Sequence, residues 1–279
     1  MPTEPAAADL LAAVQASPRA VATHDKPAWV GLFAADAEVN DPVGSAPHIG
    51  AEAIGRFYDT FIAPNRIAFH VERDAVAGST VVRDLAIEIT MSTGATVTVP
   101  MHLRYDLHAG TEGSAETAGS AGAGELRIAR LAAHWELAPM MGRLLATGLS
   151  GLGAATVLGA RLLRNQGPAG ALGMTRALAG VGRAGKTVAR RLFAAAAETD
   201  LAGVRELVGD RADITVAGRA VSVEEFTNRA RDMRWDKMLA AGRWVTTSVT
   251  VGSAHGVAMI EFTPCSLHIA RLELFLDQP

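Results

Sequence analysis

One carboxylate stands out by its setting: Asp41, within Asn40-Asp41-Pro42-Val43-Gly44. Pro42 removes a backbone donor and keeps the preceding residue out of the helical region, so Asp41 leaves a short strand, Glu38 to Asp41, in extended geometry. Gly44 and Pro47 punctuate the turn and Gly50 opens the next helix. A carboxylate fixed in this way can act as a general base if apolar surroundings raise its pKa toward working pH. An Asp-Pro-x-Gly tetrapeptide alone marks only a turn, and chemical meaning comes from the elements around it.

Those elements read as helices followed by strands. Residues 9–34 carry an apolar set at helical spacing, with Pro18 and Pro27 expected to break the run. A further helix is expected over Glu52 to Ile62, where Ile54, Phe57, Tyr58 and Phe61 share a face. Strands follow at about 67–76, 80–91 and 95–107, with turns at Gly78 and Gly94, and a last strand runs from Leu126 to Leu137. Alternation puts Val97, Val99, Met101, Leu103 and Tyr105 on one face and Thr98, His102 and Arg104 on the other. The low-complexity stretch Gly110 to Gly124 reads as a flexible loop. The fold class expected is α+β, with helices packed on a curved antiparallel sheet that forms a cone around a pocket.

Residues 140–185 are rich in Gly and Ala, with arginines as their only charges. Leu144 to Leu163 has the length of a membrane span, but Arg161 and the interspersed glycines argue against one. Neither a spanning helix nor membrane contact through 144–163 is expected. One or two small-residue helices between domains or over a pocket mouth are expected instead. Beyond them the first unit repeats: Asp25 to Val39 aligns without gaps on Asp200 to Ile214, and Ile-Ala-Arg-Leu recurs at 128–131 and 269–272. In this alignment Val216 stands where Asp41 would be. The organisation read from this is a first cone at 1–139, a helical linker at 140–185 and a degenerate second cone at 186–279. The two would pack as an intramolecular pseudo-dimer, and a homodimer stays open.

Composition narrows the classes. Of 279 residues 49% are hydrophobic, enough for a substantial core, and a net charge of −3 gives no reason to expect nucleic acid. A single cysteine, Cys265, fits a reducing compartment, and no secretory leader is apparent, so a cytoplasmic location is expected. Histidine and cysteine spacings suggest no metal, and no cofactor is expected. Gly180 to Thr187 fits GxxxxGKT, but without a preceding strand nucleotide binding is not expected.

The run Trp29 to Tyr58, with His134-Trp135-Glu136 closing the unit, resembles the ketosteroid isomerase (SnoaL-like) branch of the nuclear transport factor 2-like superfamily. The resemblance covers most of residues 10–139. It implies a hydrophobic pocket in which Asp41 is the general base, with Trp29, Phe57, Val99, Met101 and Trp135 lining the substrate site. The family's tyrosine donor position falls on or near Ser17, and its acid donor position falls on Met101, which cannot donate. Tyr58 is then the first candidate donor, followed by His102, His134 and Trp135. Arg83-Asp84 reads as a solvated or interface ion pair. The function expected is steroid delta-isomerase-like proton transfer next to a carbonyl of a hydrophobic polycyclic ketone. The alternatives are water activation by Asp41, as in the related epoxide hydrolases and cyclases, with Glu88 or Asp84 as second acid, or a non-catalytic module for hydrophobic ligands.

Overall fold

Helix α1 (Ala7–Ala22) buries Leu10, Val14, Ser17 and Val21, spaced so that they form one stripe. It passes through Pro18 rather than breaking there, because buried residues on both sides of the proline anchor the same face. Pro27 does mark a boundary. Helix α2 (Lys26–Gly31) begins there, its first turn capped by Asp25, which accepts from the Ala28 N–H at 2.9 Å. Strand β1 (Phe33–Asn40), the short β2 (His48–Ile49) and helix α3 (Gly50–Phe57) follow, and a π-type turn, Tyr58–Ile62, extends α3. Four long strands complete the unit: β3 (Arg66–Ala77), β4 (Thr80–Thr90), β5 (Thr96–Ala109) and β6 (Leu126–His134). This computed structural model describes residues 5–109, 126–209 and 212–277, so the stretch read as a flexible loop at 110–124 lies outside the described residues.

The six strands form one sheet in the order β2-β1-β6-β5-β4-β3. It is mixed rather than wholly antiparallel, since β1 runs parallel to β6, pairing Val39 with Leu131 and Asn40 with Ala132. No tight turn joins these two strands, so nothing local fixes their relative direction. Helices α4 (Leu137–Ala146) and α5 (Leu149–Thr175) come next, α5 broken at Gly167 (φ 69°) ahead of Pro168.

The second unit repeats the plan: α6 (Gly182–Ala197), α7 (Leu201–Val208), β7 (Asp213–Val216), β8 (Arg219–Ala220), α8 (Val223–Arg229), β9 (Arg234–Ala241), β10 (Trp244–Val251), β11 (Ala254–Phe262) and β12 (Ile269–Leu276). Its sheet order, β8-β7-β12-β11-β10-β9, is that of the first sheet element for element. Asp200 caps α7 as Asp25 caps α2, accepting from the Gly203 N–H at 3.0 Å. The parallel pair β7–β12 matches Ile214 with Leu272 and Val216 with Leu274. Superposing the two Ile-Ala-Arg-Leu segments therefore puts Val216 at the position of Asp41, where the second copy has no acid.

The two sheets meet through the faces turned away from their helices. Val82 and Ala132 pack there with Trp244, Val257, Met259 and Phe275. Polar groups are buried among them. The His102 ring pairs with the hydroxyls of Thr246 at 2.8 Å and Ser248 at 3.1 Å, and Arg104 binds Glu273 at 2.7 Å. Arg83 and Asp84, adjacent in sequence, point to opposite faces. Arg83 pairs with Asp74 at 2.8 Å, whereas Asp84 crosses the interface to Lys237 and accepts from Ser248 Oγ at 2.5 Å. Lys237→Met is expected to destabilise the chain by about 3–5 kcal/mol, because it strands a buried carboxylate. Denaturant unfolding of this variant and of Asp84→Asn/Lys237→Met checks it: the double variant should regain most of the loss.

Candidate active site

A cavity of about 350 Å³ lies between the inner face of the first sheet and its helices, within the range of small-molecule sites. Strands β3 to β5 contribute Ile67, Phe69, Ile87, Ile89, Val99, Met101, Leu103 and Tyr105. Helices α1 to α3 add Ser17, Val21, Trp29 and Phe57, while Trp135 and Met140 close one side. The roof is α5, with Ala154, Leu158, Arg161 and Leu162 facing inward. The small-residue helices of the middle segment thus cover the pocket mouth. All five side chains expected at the substrate site, Trp29, Phe57, Val99, Met101 and Trp135, line this cavity.

Asp41 lines it as well, and among the described lining residues it is the one carboxylate. Its loop is closed by a set of short bonds. The Val43 N–H donates to Ala133 O at 2.8 Å, Ser45 donates from both N–H and Oγ to Pro42 O, and Asn40 Nδ2 reaches Ser45 O at 3.2 Å. The Asp41–Pro42 peptide is cis. Trp135 Nε1 donates to Asp41 Oδ1 at 2.6 Å. What remains accessible of Asp41 faces the apolar cavity. Loss of hydration there pushes its pKa up to about 6, against the opposing pull of the Trp135 bond.

Tyr58 does not meet Asp41. Its hydroxyl is buried without a hydrogen-bond partner among the described residues, its ring packs against Trp29 at 5.5 Å, and it is absent from the lining of the cavity. Burial raises its pKa, and so do the charges of Asp25 and Asp59, which lie on the outer side of the helices. The tyrosine that does reach the cavity is Tyr105, a residue not singled out as a donor from sequence. Alternation already put it on the face of Met101, which was the available signal. Burial raises its pKa, opposed by Arg83 and a hydrogen bond from Ser17, with Asp74 and Asp41 raising it further. Trp29 Nε1, which can only donate, gives its hydrogen to Ser17 Oγ at 3.1 Å, and Ser17 lines the cavity together with Tyr105.

The other candidates lie elsewhere. His102 and His134 are buried at the sheet interface, His134 against Trp244 at 5.7 Å, and burial holds both well below the usual imidazole range. Glu88 is exposed and Asp84 belongs to the interface, so neither joins Asp41. At Gly180 to Thr187 a 3-10 turn, not a strand, precedes α6, and the Val181 N–H is taken by Gly242 O at 2.9 Å.

Residues 14–111 match the family model of the SnoaL-like domain. Solved structures are similar at a distance. A Δ5-3-ketosteroid isomerase from Mycobacterium sp. is 27% identical, over 47% of this chain and 95% of that one, with a TM-score of 0.38. A Mycobacterium tuberculosis protein in complex with estradiol-17β-hemisuccinate is 26% identical over 47% and 96%, with a TM-score of 0.39. An M. tuberculosis epoxide hydrolase is 15% identical over 54% and 96%, with a TM-score of 0.39. No curated protein matches the chain. The first unit thus contains, over residues 14–111, a match to the SnoaL-like domain, and a second α+β unit of the same strand order follows it.

Proposed function

We propose that the cavity takes a hydrophobic polycyclic ketone and that Asp41 moves a proton from the carbon next to its carbonyl to the γ carbon. The observation that carries this reading is Asp41 standing as the one carboxylate among the described residues that line an apolar cavity, where loss of hydration pushes its pKa up to about 6 and suits it as a base near neutral pH. Asp41 removes a proton from the carbon between carbonyl and double bond. The electron pair moves onto the carbonyl oxygen to give a dienolate, and the protonated Asp41 returns its proton to the far carbon as the double bond shifts. Tyr105, which lines the same cavity, donates to the dienolate oxygen. That role was expected of Tyr58, whose hydroxyl lies outside the cavity lining. Water activation by Asp41 would call for a second acid, and no second carboxylate is among the described lining residues.

Isomerisation of a β,γ-unsaturated ketosteroid, followed by ultraviolet absorbance of the conjugated product, tests the reading. Tyr105→Phe is expected to lower kcat by about a hundredfold with KM little changed, since the bond strengthens only as charge develops. Steroid binding without turnover by the unaltered chain would leave the ligand-binding module as the surviving account.

A further inference from the structure

Helix α5 is apolar on both sides. Its inner side chains roof the cavity, while Leu149, Leu152 and Leu163 point outward along one stripe, Leu149 at 88% exposure. Of nine large exposed hydrophobic side chains among the described residues, six lie between 145 and 178. A soluble surface rarely gathers them in this way without a partner. The same region, residues 137–185, carries no carboxylate in a chain whose net charge is −3, and of its five arginines Arg161 faces the cavity while Arg143, Arg164, Arg176 and Arg183 are exposed.

That charge pattern decides between partners. A two-fold pairing of this face with itself would set arginines against arginines with no acid to offset them. An anionic lipid surface accepts both features at once, leucines into the acyl boundary and guanidinium groups at the phosphates. No helix among the described residues is long and apolar enough to cross a membrane, so the contact would lie along the bilayer plane. From sequence neither crossing nor membrane contact is expected through 144–163, but the grounds, Arg161 and the glycines, bear on crossing, and the outward leucines become visible only once one side of α5 is occupied by the cavity. We propose that the outer face of α4 and α5 docks on an anionic phospholipid bilayer, so that the cavity beneath draws its ligand from the lipid phase. The second clause rests on the proposed function of the cavity, whereas docking does not.

Co-sedimentation of the full chain with vesicles of phosphatidylcholine alone, or of phosphatidylcholine with phosphatidylglycerol, tests docking without any ligand. Binding to the anionic vesicles at least tenfold tighter than to the neutral ones is expected, weakening as salt rises. Leu149→Ser/Leu152→Ser/Leu163→Ser should abolish it, and Arg164→Glu/Arg176→Glu should weaken it by at least tenfold; all these positions are exposed and outside the cavity lining. Equal affinity for both vesicles, or no sedimentation, overturns the proposal. So does a chain that is dimeric by sedimentation velocity and becomes monomeric with the three serines, which would assign the face to a second copy. Loss of isomerase activity with vesicle binding intact would count against the cavity's proposed chemistry alone.

Discussion

Asp41→Asn is expected to lower kcat on a β,γ-unsaturated ketosteroid by about 10²–10⁴-fold and, at pH 7, to make the protein more stable. The two effects share a cause. The cavity withholds water from the carboxylate, which raises its pKa from the ordinary 3.8 to about 6. For activity, the base works only when ionised, so kcat/KM of the unaltered chain should rise with pH and be half-maximal near 6, and any residual activity of the asparagine variant should lack that step. For stability, the folded state binds the proton more tightly than the unfolded state does. Stability contributed by this group is therefore full below about pH 4, falls as pH rises through the window from 3.8 to 6, and stays lost above it. The whole shift corresponds to about 3 kcal/mol. Asparagine is never charged and still offers Trp135 an acceptor, so its advantage should appear in thermal unfolding at pH 7 and vanish near pH 3.5. A variant no more stable than the parent at pH 7 would mean that Asp41 is well hydrated, and the reading of it as a tuned base would fall with it.

Asp41 and its loop were legible because proline and glycine constrain the backbone locally, and local constraints survive in sequence. The cavity face of β5 was legible for a similar reason, since a period of two assigns every side chain once a single one is placed. The repeat told which of the two units keeps the acid. What stayed hidden depends on distance across the fold. Tyr58 and Tyr105 both sit on apolar faces, and only the tertiary packing sets the Tyr58 ring against Trp29, away from the cavity lining, while Tyr105 reaches the cavity. Arg83-Asp84 looked like one pair because the residues are adjacent, yet alternation sends them to opposite faces, where each finds another partner. Pro18 looked like a helix break because its missing N–H is a local fact, whereas the burial that carries α1 through it is not.

The second unit lacks an acid of its own at the matching position, and its contribution to the site is expected to be mechanical. Gly44, three residues beyond Asp41, packs backbone to backbone on Gly242 in the β9–β10 turn. A Cβ on Gly242 would stand 2.8 Å from Gly44 Cα, and Gly242 has a φ of +54° that favours glycine. Gly242 O also holds the Val181 N–H, so the turn cannot retreat freely, and the Asp41 loop is the part that must give. Gly242→Ala is therefore expected to lower kcat by about tenfold to a hundredfold, although residue 242 is not among the cavity's lining residues, since a shift of about 1 Å in a reacting group can cost a hundredfold. Alanine in this backbone region costs about 1–2 kcal/mol by itself, and a control separates that cost from the contact. Gly252, in the β10–β11 turn, has a φ of +59° with nothing within 4 Å of its Cβ position. Gly252→Ala should carry the backbone penalty in thermal unfolding and leave kcat unchanged. If the two variants lose activity equally, or neither does, the second unit does not position Asp41; a loss confined to Gly242→Ala, with the pH midpoint still near 6, would identify the degenerate copy as the abutment against which the catalytic loop is set.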